Sequence, residues 1–102
     1  LSMKIGKIQP SVNPKTIADG LRTQLGDKNF PIIRKYISNI IRVEESEIIA
    51  AMRYTWERMK LVIEPSSAVA VAALFRKPER FAKRKVGIIL SGGNVDLSNL
   101  PF

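Results

Sequence analysis

A serine-glycine-glycine-asparagine sequence near the end of the chain has the residue types that best fit a ligand site. Residues 85–90 are mostly apolar and branched, a composition that predicts a buried strand. Ser91, Gly92, Gly93 and Asn94 follow directly. Two consecutive glycines let the backbone turn sharply and approach a bound group closely. Because ligands of open α/β sheets bind at the carboxyl ends of strands, Ser91 is predicted to face such a ligand.

Glu64 is the ionisable side chain whose position most suggests a role in the same site. It lies between the apolar Ile63 and Pro65, which opens a predicted helix rich in Ala and Val. A carboxylate next to apolar elements needs a polar partner. Two interpretations stay open: a polar group that lines a site, or a carboxylate satisfied by the first backbone amides of the helix.

The composition excludes several kinds of chemistry. The 102 residues include no histidine and no cysteine, so the chain supplies no imidazole base, Ser-His-Asp triad, thiolate or His-ligated metal site. Any chemistry must use lysines, carboxylates, hydroxyls, backbone amides or a cofactor. No apolar run reaches the length of a membrane span, and the chain does not begin with a signal-peptide pattern. The absence of cysteine fits a reducing compartment, and we expect a cytoplasmic protein without a membrane partner.

The net charge of +8 comes largely from residues 76–85, where six basic residues accompany one acidic residue. A nucleic-acid surface would also need aromatic platforms or an ordered basic face, and Phe81 is the one aromatic residue in this run. We therefore interpret the run as a solvated connection and expect no nucleic-acid partner.

The apolar pattern predicts the elements that position these residues. It indicates strands at 40–43 and 85–90 and an entering strand or connector over 1–15. It also indicates a short helix from about residue 30 to 38 or 39, a longer one from residue 44, and one over 66–75. The last of these is apolar nearly all round, so we expect it to be buried and closely packed. This is an α/β order that favours helices packed on a mostly parallel sheet.

The longest predicted helix carries its own start and burial signals. Three glutamates fill its first turn, where negative charge complements the helix dipole. Residues at helical spacing predict its buried stripe: Ile48, Met52, Thr55, Trp56 and Met59.

Four segments together resemble a known family. They are Thr-Ile-Ala-Asp-Gly at 16–20, Trp-Glu-Arg-Met-Lys at 56–60, Ile-Glu-Pro-Ser at 63–66 and Leu-Ser-Gly-Gly-Asn-Val-Asp at 90–96. The set resembles the C-terminal part of the catalytic domain of serine racemases and serine/threonine dehydratases. These are pyridoxal-phosphate enzymes of the tryptophan-synthase β-subunit fold, or fold type II. The resemblance implies that residues 1–102 are the C-terminal segment of a large, cofactor-binding domain and are incomplete as an isolated domain.

The resemblance also implies roles for individual residues. Ser91 matches the serine that hydrogen-bonds the pyridine nitrogen of pyridoxal 5′-phosphate, and Gly92 and Gly93 accompany it as cofactor-binding residues. Four further positions match residues that line the active site: Glu64, Asp19, Gly20 and Thr23. A serine capping a turn is the alternative for Ser91.

Lys60 and Asn94 match a lysine and an asparagine that contact ATP at a subunit interface in the animal racemase. The resemblance thus implies a homodimer with ATP and Mg²⁺ or Ca²⁺ as effectors of the complete enzyme. The metal ligands are expected just before residue 1, and none in this chain. A lysine at a helix end also satisfies the helix dipole with no ligand, so both interpretations of Lys60 stay open.

The family's Schiff-base lysine and phosphate-binding loop match no position of this sequence and are expected upstream, so no catalytic residue is assigned here. The resemblance implies a parent enzyme that acts on small hydroxy amino acids by α-proton removal and β-elimination, or by racemisation. Residues 1–102 alone are predicted to be inactive and to need the rest of their own polypeptide. The alternative is a non-catalytic binding or assembly module that keeps this shape.

Overall fold

The computed structural model describes residues 1–102, and its regular structure is entirely helical. The elements follow in this order: α1 (Ser2–Ile5), a 3₁₀ turn (Asp19–Leu21), α2 (Asn29–Tyr36), α3 (Glu45–Tyr54), a π-helical turn (Thr55–Met59), α4 (Pro65–Arg76) and α5 (Pro78–Phe81). No helix combines the length and the hydropathy that crossing a membrane requires.

The helix α3 begins where the glutamates predicted it. Glu44 is the N-cap in a reciprocal capping box, in which its side chain accepts from the Glu47 backbone and the Glu47 carboxylate accepts from the Glu44 N–H at 2.7 Å. Arg76, at the end of α4, donates to the same Glu47 carboxylate at 2.6 Å. The start of α3 is therefore tied to the end of α4.

The core lies between α3 and α4, which pack through small side chains. Ala51 of α3 and Ala68 and Ala72 of α4 are at most 1% exposed. Small residues let two helix backbones approach closely, and larger buried side chains complete the core around them. The buried cluster consists of Ile48, Ala51, Met52, Ile63, Ala68, Val71 and Ala72.

The predicted stripe of α3 is correct for its first part and wrong at its end. Ile48, Met52 and Thr55 are buried, whereas Met59 is 52% exposed. The helix widens into a π turn from Thr55, which changes the angular spacing of the residues that follow. Trp56 is half-buried, and its Nε1–H donates to the Ile63 carbonyl at 2.9 Å.

The predicted strands do not form within these residues. The segments at 40–43 and 85–90 form no hydrogen-bonded strand, and residues 1–15 contain the short α1 in place of an entering strand. A strand requires a neighbour with which to exchange backbone hydrogen bonds, and these two apolar segments do not pair with each other. Within residues 1–102 both segments therefore remain without a strand partner.

The predicted all-round burial of α4 is also wrong. The first and middle turns are buried on the α3 side, while Phe75 is 47% exposed and packs edge-to-face on Tyr54 at a 5.1 Å centroid distance. Ile89, in the segment predicted as a strand, is 85% exposed. The fold thus leaves apolar side chains uncovered, as expected of an incomplete domain.

The Glu47 contacts predict a dependence of stability on pH. Backbone hydrogen bonding at Glu44, followed by the Arg76 hydrogen bond, lowers the pKa of the Glu47 carboxyl from its usual 4.5. A carboxyl with a lowered folded-state pKa stabilises the fold above its unfolded pKa, and this stabilisation is lost as the pH falls through the folded value. We expect Glu47→Gln to flatten the acid limb of urea-unfolding free energy measured between pH 7 and pH 3.

The matched control is Glu57→Gln, which removes the same charge from the exposed pair with Arg53. At pH 7 it should destabilise the protein less than Glu47→Gln, because exposed i,i+4 pairs contribute little. Acid limbs of identical slope in wild type and Glu47→Gln would contradict the assignment.

Candidate functional site

The Ser67 hydroxyl joins the start of α4 to the serine-glycine-glycine segment. Ser67 is 2% exposed, and its Oγ lies 2.8 Å from the Gly92 nitrogen, 2.8 Å from the Gly92 oxygen and 3.2 Å from Ser91 Oγ. Gly92 N–H donates to this hydroxyl, and the hydroxyl can donate to the Gly92 carbonyl or to Ser91. Ser91 itself is exposed, so its hydroxyl contacts Ser67 on one side and is accessible to a ligand on the other.

The two glycines serve close approach, because neither has a positive φ. A Cβ at Gly93 would overlap the Val62 carbonyl oxygen, a contact that backbone cannot accommodate without moving. A Cβ at Gly92 would lie 2.9 Å from Glu64 Oε1. The segment therefore runs directly against the residues that precede α4, and a sharp left-handed turn is not required.

Glu64 is held at the start of α4 by its backbone. Its N–H donates to the Gly92 carbonyl at 3.0 Å, and its carbonyl accepts from the N–H groups of Ser67 and Ala68 at 3.1 Å. Its carboxylate does not cap the helix, so the interpretation of a carboxylate satisfied by backbone amides is not what forms. The half-buried carboxylate lies beside Gly92, in the segment that carries the Ser91 hydroxyl.

The Asp19-Gly20 turn approaches the same helix start through a second serine. Gly20 N–H lies 3.1 Å from Ser66 Oγ and 2.8 Å from Asp19 Oδ1. A Cβ at Gly20 would lie 2.9 Å from Ser66 Oγ, so this contact also depends on glycine. The Thr23 hydroxyl donates only to the Gln24 carbonyl, at 3.4 Å, and makes no hydrogen bond to this group of residues.

Glu45 anchors the loop that leads into this turn. Its carboxylate accepts from the Ile17 N–H at 2.9 Å. That backbone hydrogen bond, the Thr16 hydroxyl and the charge of Arg22 lower the pKa of the Glu45 carboxyl. Because Glu45 begins α3, the loop is attached to the same two-helix core that carries α4.

A cavity of about 500 Å³ lies beside these residues. Among the predicted site residues, Asp19 and Asn94 line it; the other lining residues are Ile17, Arg22, Met52, Pro65, Val95, Asp96, Asn99, Leu100 and Pro101. Hydrogen bonds from the Ser98 hydroxyl and backbone lower the pKa of the Asp96 carboxyl. Asp19, Asp96 and Arg22 give this cavity charges of both signs.

Lys60 and Asn94, the two residues predicted to contact ATP at a subunit interface, lie in different segments of the fold. Lys60 ends the π turn in a left-handed conformation with φ of 58°, and it is exposed. Asn94 lines the cavity, whereas Lys60 does not.

The structure adds three polar residues that the sequence reasoning did not select. Ser66 and Ser67 follow Pro65 in a helix rich in Ala and Val, where a small serine has no evident role beyond packing. For Glu45 the sequence indicates only a helix-start charge. The sequence carries no local signal for these contacts, because each joins segments that are far apart along the chain.

The chain is similar to known proteins over nearly its whole length. Residues 1–92 match the family described as pyridoxal-phosphate dependent enzyme. A serine racemase from Dictyostelium discoideum is 51% identical over 102 residues, and a beta-hydroxyaspartate dehydratase from Paracoccus denitrificans is 43% identical over 101 residues. These matches cover 98% and 99% of this chain, respectively. The crystal structure of a T.th. threonine deaminase superimposes with a TM-score of 0.88 and 37% identity over 96% of this chain.

The relatives are longer than this chain. It spans 31% of the racemase and 32% of the dehydratase, and 36% of the threonine deaminase chain. The similarity therefore concerns about a third of each protein.

The close approach at Gly93 predicts a difference between two Gly→Ala substitutions in one segment. Gly93→Ala should lower the urea-unfolding free energy by about 1–3 kcal/mol, because its Cβ meets the Val62 carbonyl. Gly87→Ala is the control: nothing lies within 4 Å of a Cβ there, and a change below about 1 kcal/mol is expected. Equal effects of the two substitutions would refute this packing argument.

Proposed function

Because this chain belongs to the family of pyridoxal-phosphate-dependent enzymes, we propose that it forms the side of a cofactor site that contacts the ring nitrogen. Residues 1–102 then form the C-terminal segment of the large, cofactor-binding domain. The parent protein is a serine/threonine ammonia-lyase (dehydratase) or a serine racemase that acts on small hydroxy amino acids. The segment by itself is inactive.

The observation that carries the proposal is that the Ser91 hydroxyl has one hydrogen-bond partner and is otherwise exposed. Its buried neighbour Ser67 lies 3.2 Å away, while Ser91 itself is exposed. No carboxylate is hydrogen-bonded to Ser91, so the group offered to a ligand is neutral. A pyridine nitrogen is a single in-plane acceptor, and one exposed hydroxyl donor fits it. The residues present therefore fit the ring-nitrogen end of the cofactor.

The choice of a neutral partner has a chemical consequence. Bound pyridoxal phosphate supplies an electron sink for the charge that develops at the substrate α-carbon. A carboxylate at position 91 would favour a protonated ring nitrogen, whereas a serine does not. Ser91 thus sets a milder sink, which suits β-elimination and a short-lived carbanion.

The remaining predicted residues have supporting roles in this proposal. Gly92 and Gly93 bring the Ser91 segment close to the cofactor ring. Glu64 lines the site beside Gly92 as a polar neighbour and is not assigned as the base. A lysine outside residues 1–102 is assigned removal of the α-proton.

The substrate side is assigned to the loop before α2. Asp19 and Gly20 line it, and the contact of Gly20 with Ser66 supports their placement beside α4. Thr23 offers a hydroxyl to a substrate carboxylate. For that contact the Thr23 hydroxyl has to leave the Gln24 carbonyl, to which it donates in this structure.

The proposed regulation and oligomeric state of the parent protein are those that the family resemblance implies. We propose a cytoplasmic homodimer in which Lys60 and Asn94 contact ATP and in which Mg²⁺ or Ca²⁺ binds outside this chain. The exposure of Lys60 and the place of Asn94 at the cavity support a role in binding a polar ligand.

The function can be tested with the full-length protein and its cofactor. Incubation with L-serine, L-threonine and L-threo-3-hydroxyaspartate should yield an oxo acid from at least one, or D-serine from L-serine. Chromatographic measurement of the oxo acids and of D-serine distinguishes elimination from racemisation. If none of these products forms, the proposal is rejected.

The role of Ser91 predicts a specific loss. Ser91→Ala in the full-length protein should weaken cofactor binding by roughly tenfold, because one hydrogen bond contributes about 1–1.5 kcal/mol. Equilibrium binding of pyridoxal phosphate, followed by absorbance, measures this change. Ser46→Ala, which removes an exposed hydroxyl from α3, is the control and should leave binding unchanged. Unchanged affinity in Ser91→Ala would exclude the assigned contact.

A further inference from the structure

The buried serine beneath Ser91 has a role that the proposed function leaves open. Resting on that function, we propose that Ser67 is a positioning residue, which orients the Ser91 hydroxyl so that its proton points to the ring nitrogen of the cofactor. Ser67 does not touch the cofactor in this arrangement. It acts through the 3.2 Å contact between the two hydroxyl oxygens.

The Ser67 hydroxyl has three hydrogen-bonding neighbours within 3.2 Å. A serine hydroxyl donates one proton and has two acceptor lone pairs. The Gly92 N–H, 2.8 Å away, can only donate and therefore occupies one lone pair. One proton and one lone pair remain for two neighbours, the Gly92 carbonyl at 2.8 Å and Ser91 Oγ at 3.2 Å.

These remaining groups permit two arrangements. In the first, Ser67 donates to the Gly92 carbonyl and Ser91 donates to Ser67, so that Ser91 can only accept from a ligand. In the second, Ser67 donates to Ser91, and the Ser91 proton is free for an acceptor on the open side. The second arrangement gives up the 2.8 Å donation from Ser67 to the Gly92 carbonyl, so the Ser67 hydroxyl has to turn toward Ser91 when the ligand binds. The Gly92 carbonyl then keeps its hydrogen bond from the Glu64 N–H at 3.0 Å.

A pyridine nitrogen selects between the two arrangements. No carboxylate is hydrogen-bonded to Ser91 to hold a proton on the ring, so the nitrogen is an acceptor and needs a donor. Only the second arrangement gives it one. In a chain of hydroxyls each hydrogen bond polarises the next, so donation from Ser67 also strengthens the bond from Ser91 to the ring.

Ser66 provides a matched comparison one residue away. It is also in the first turn of α4, but its hydroxyl lies 3.1 Å from the Gly20 nitrogen and makes no hydrogen bond to Ser91. The two serines therefore reach different segments from adjacent positions. A general effect of removing a hydroxyl from this helix turn would appear for both, whereas an effect through Ser91 belongs to Ser67.

The test uses the full-length protein loaded with pyridoxal phosphate that carries ¹⁵N in its ring. The ¹⁵N chemical shift reports the hydrogen bond at the ring nitrogen itself, which a general loss of stability would not alter in the folded protein. Ser91→Ala should move the shift toward that of a pyridine without a donor. Ser67→Ala should move it in the same direction by a smaller amount and weaken cofactor binding roughly threefold to tenfold. Ser66→Ala should leave the shift at the wild-type value.

Ser67→Cys keeps the buried volume nearly constant and replaces the hydroxyl with a weak donor. This variant covers the case in which Ser67→Ala does not fold, since Ala leaves the Gly92 N–H without its acceptor. Its ¹⁵N shift should lie between those of wild type and Ser91→Ala.

The outcomes separate the positioning role of Ser67 from the proposed function. Wild-type shifts in both Ser67 variants, with a displaced shift in Ser91→Ala, would overturn the positioning role and leave the proposed function standing. Failure of the wild-type protein to bind pyridoxal phosphate, or an unchanged shift in Ser91→Ala, would overturn both.

Discussion

The close packing of α3 against α4 is the constraint on which the rest of the structure depends. Alanines at 51, 68 and 72 are essentially inaccessible, and they pack in one buried cluster with Ile48, Met52 and Val71. Both parts of the candidate site are attached to this pair. The loop that leads to Asp19 is bonded to the first residue of α3, and the serine-glycine-glycine segment is bonded to the first turn of α4. A shift of one helix against the other would move both.

The functional proposal follows from that geometry because the first turn of α4 gathers polar groups from distant segments. Two adjacent serines bond in different directions, one to Gly20 and the other to Gly92. The residues that would face substrate and the residue that would face the cofactor ring are thereby attached to one rigid element. The relatives are named as a racemase and a dehydratase.

Helices were predictable here and strands were not, for a physical reason. The start of α3 follows from its glutamates, and the start of α4 from Pro65, because capping and proline geometry act over one helical turn. The segments at 40–43 and 85–90 have the composition of strands, but a strand forms only with a partner, and the 102 residues supply none. The exposed Met59 is a smaller failure of the same kind, because a π turn changed a period that was assumed constant.

The sequence by itself determined the family and the helix starts and singled out Ser91 as a candidate, since each depends on residue types in a short stretch. Tertiary structure alone decided what surrounds that serine. Ser67 is 24 positions away from Ser91 and lies in a helix of Ala and Val, where no local pattern distinguishes it from a filler residue. Likewise, the need for glycine at 93 comes from the Val62 carbonyl and not from a left-handed turn. Contacts between segments far apart in sequence depend on how the helices pack. Composition and periodicity describe only neighbouring residues, so they do not predict such contacts.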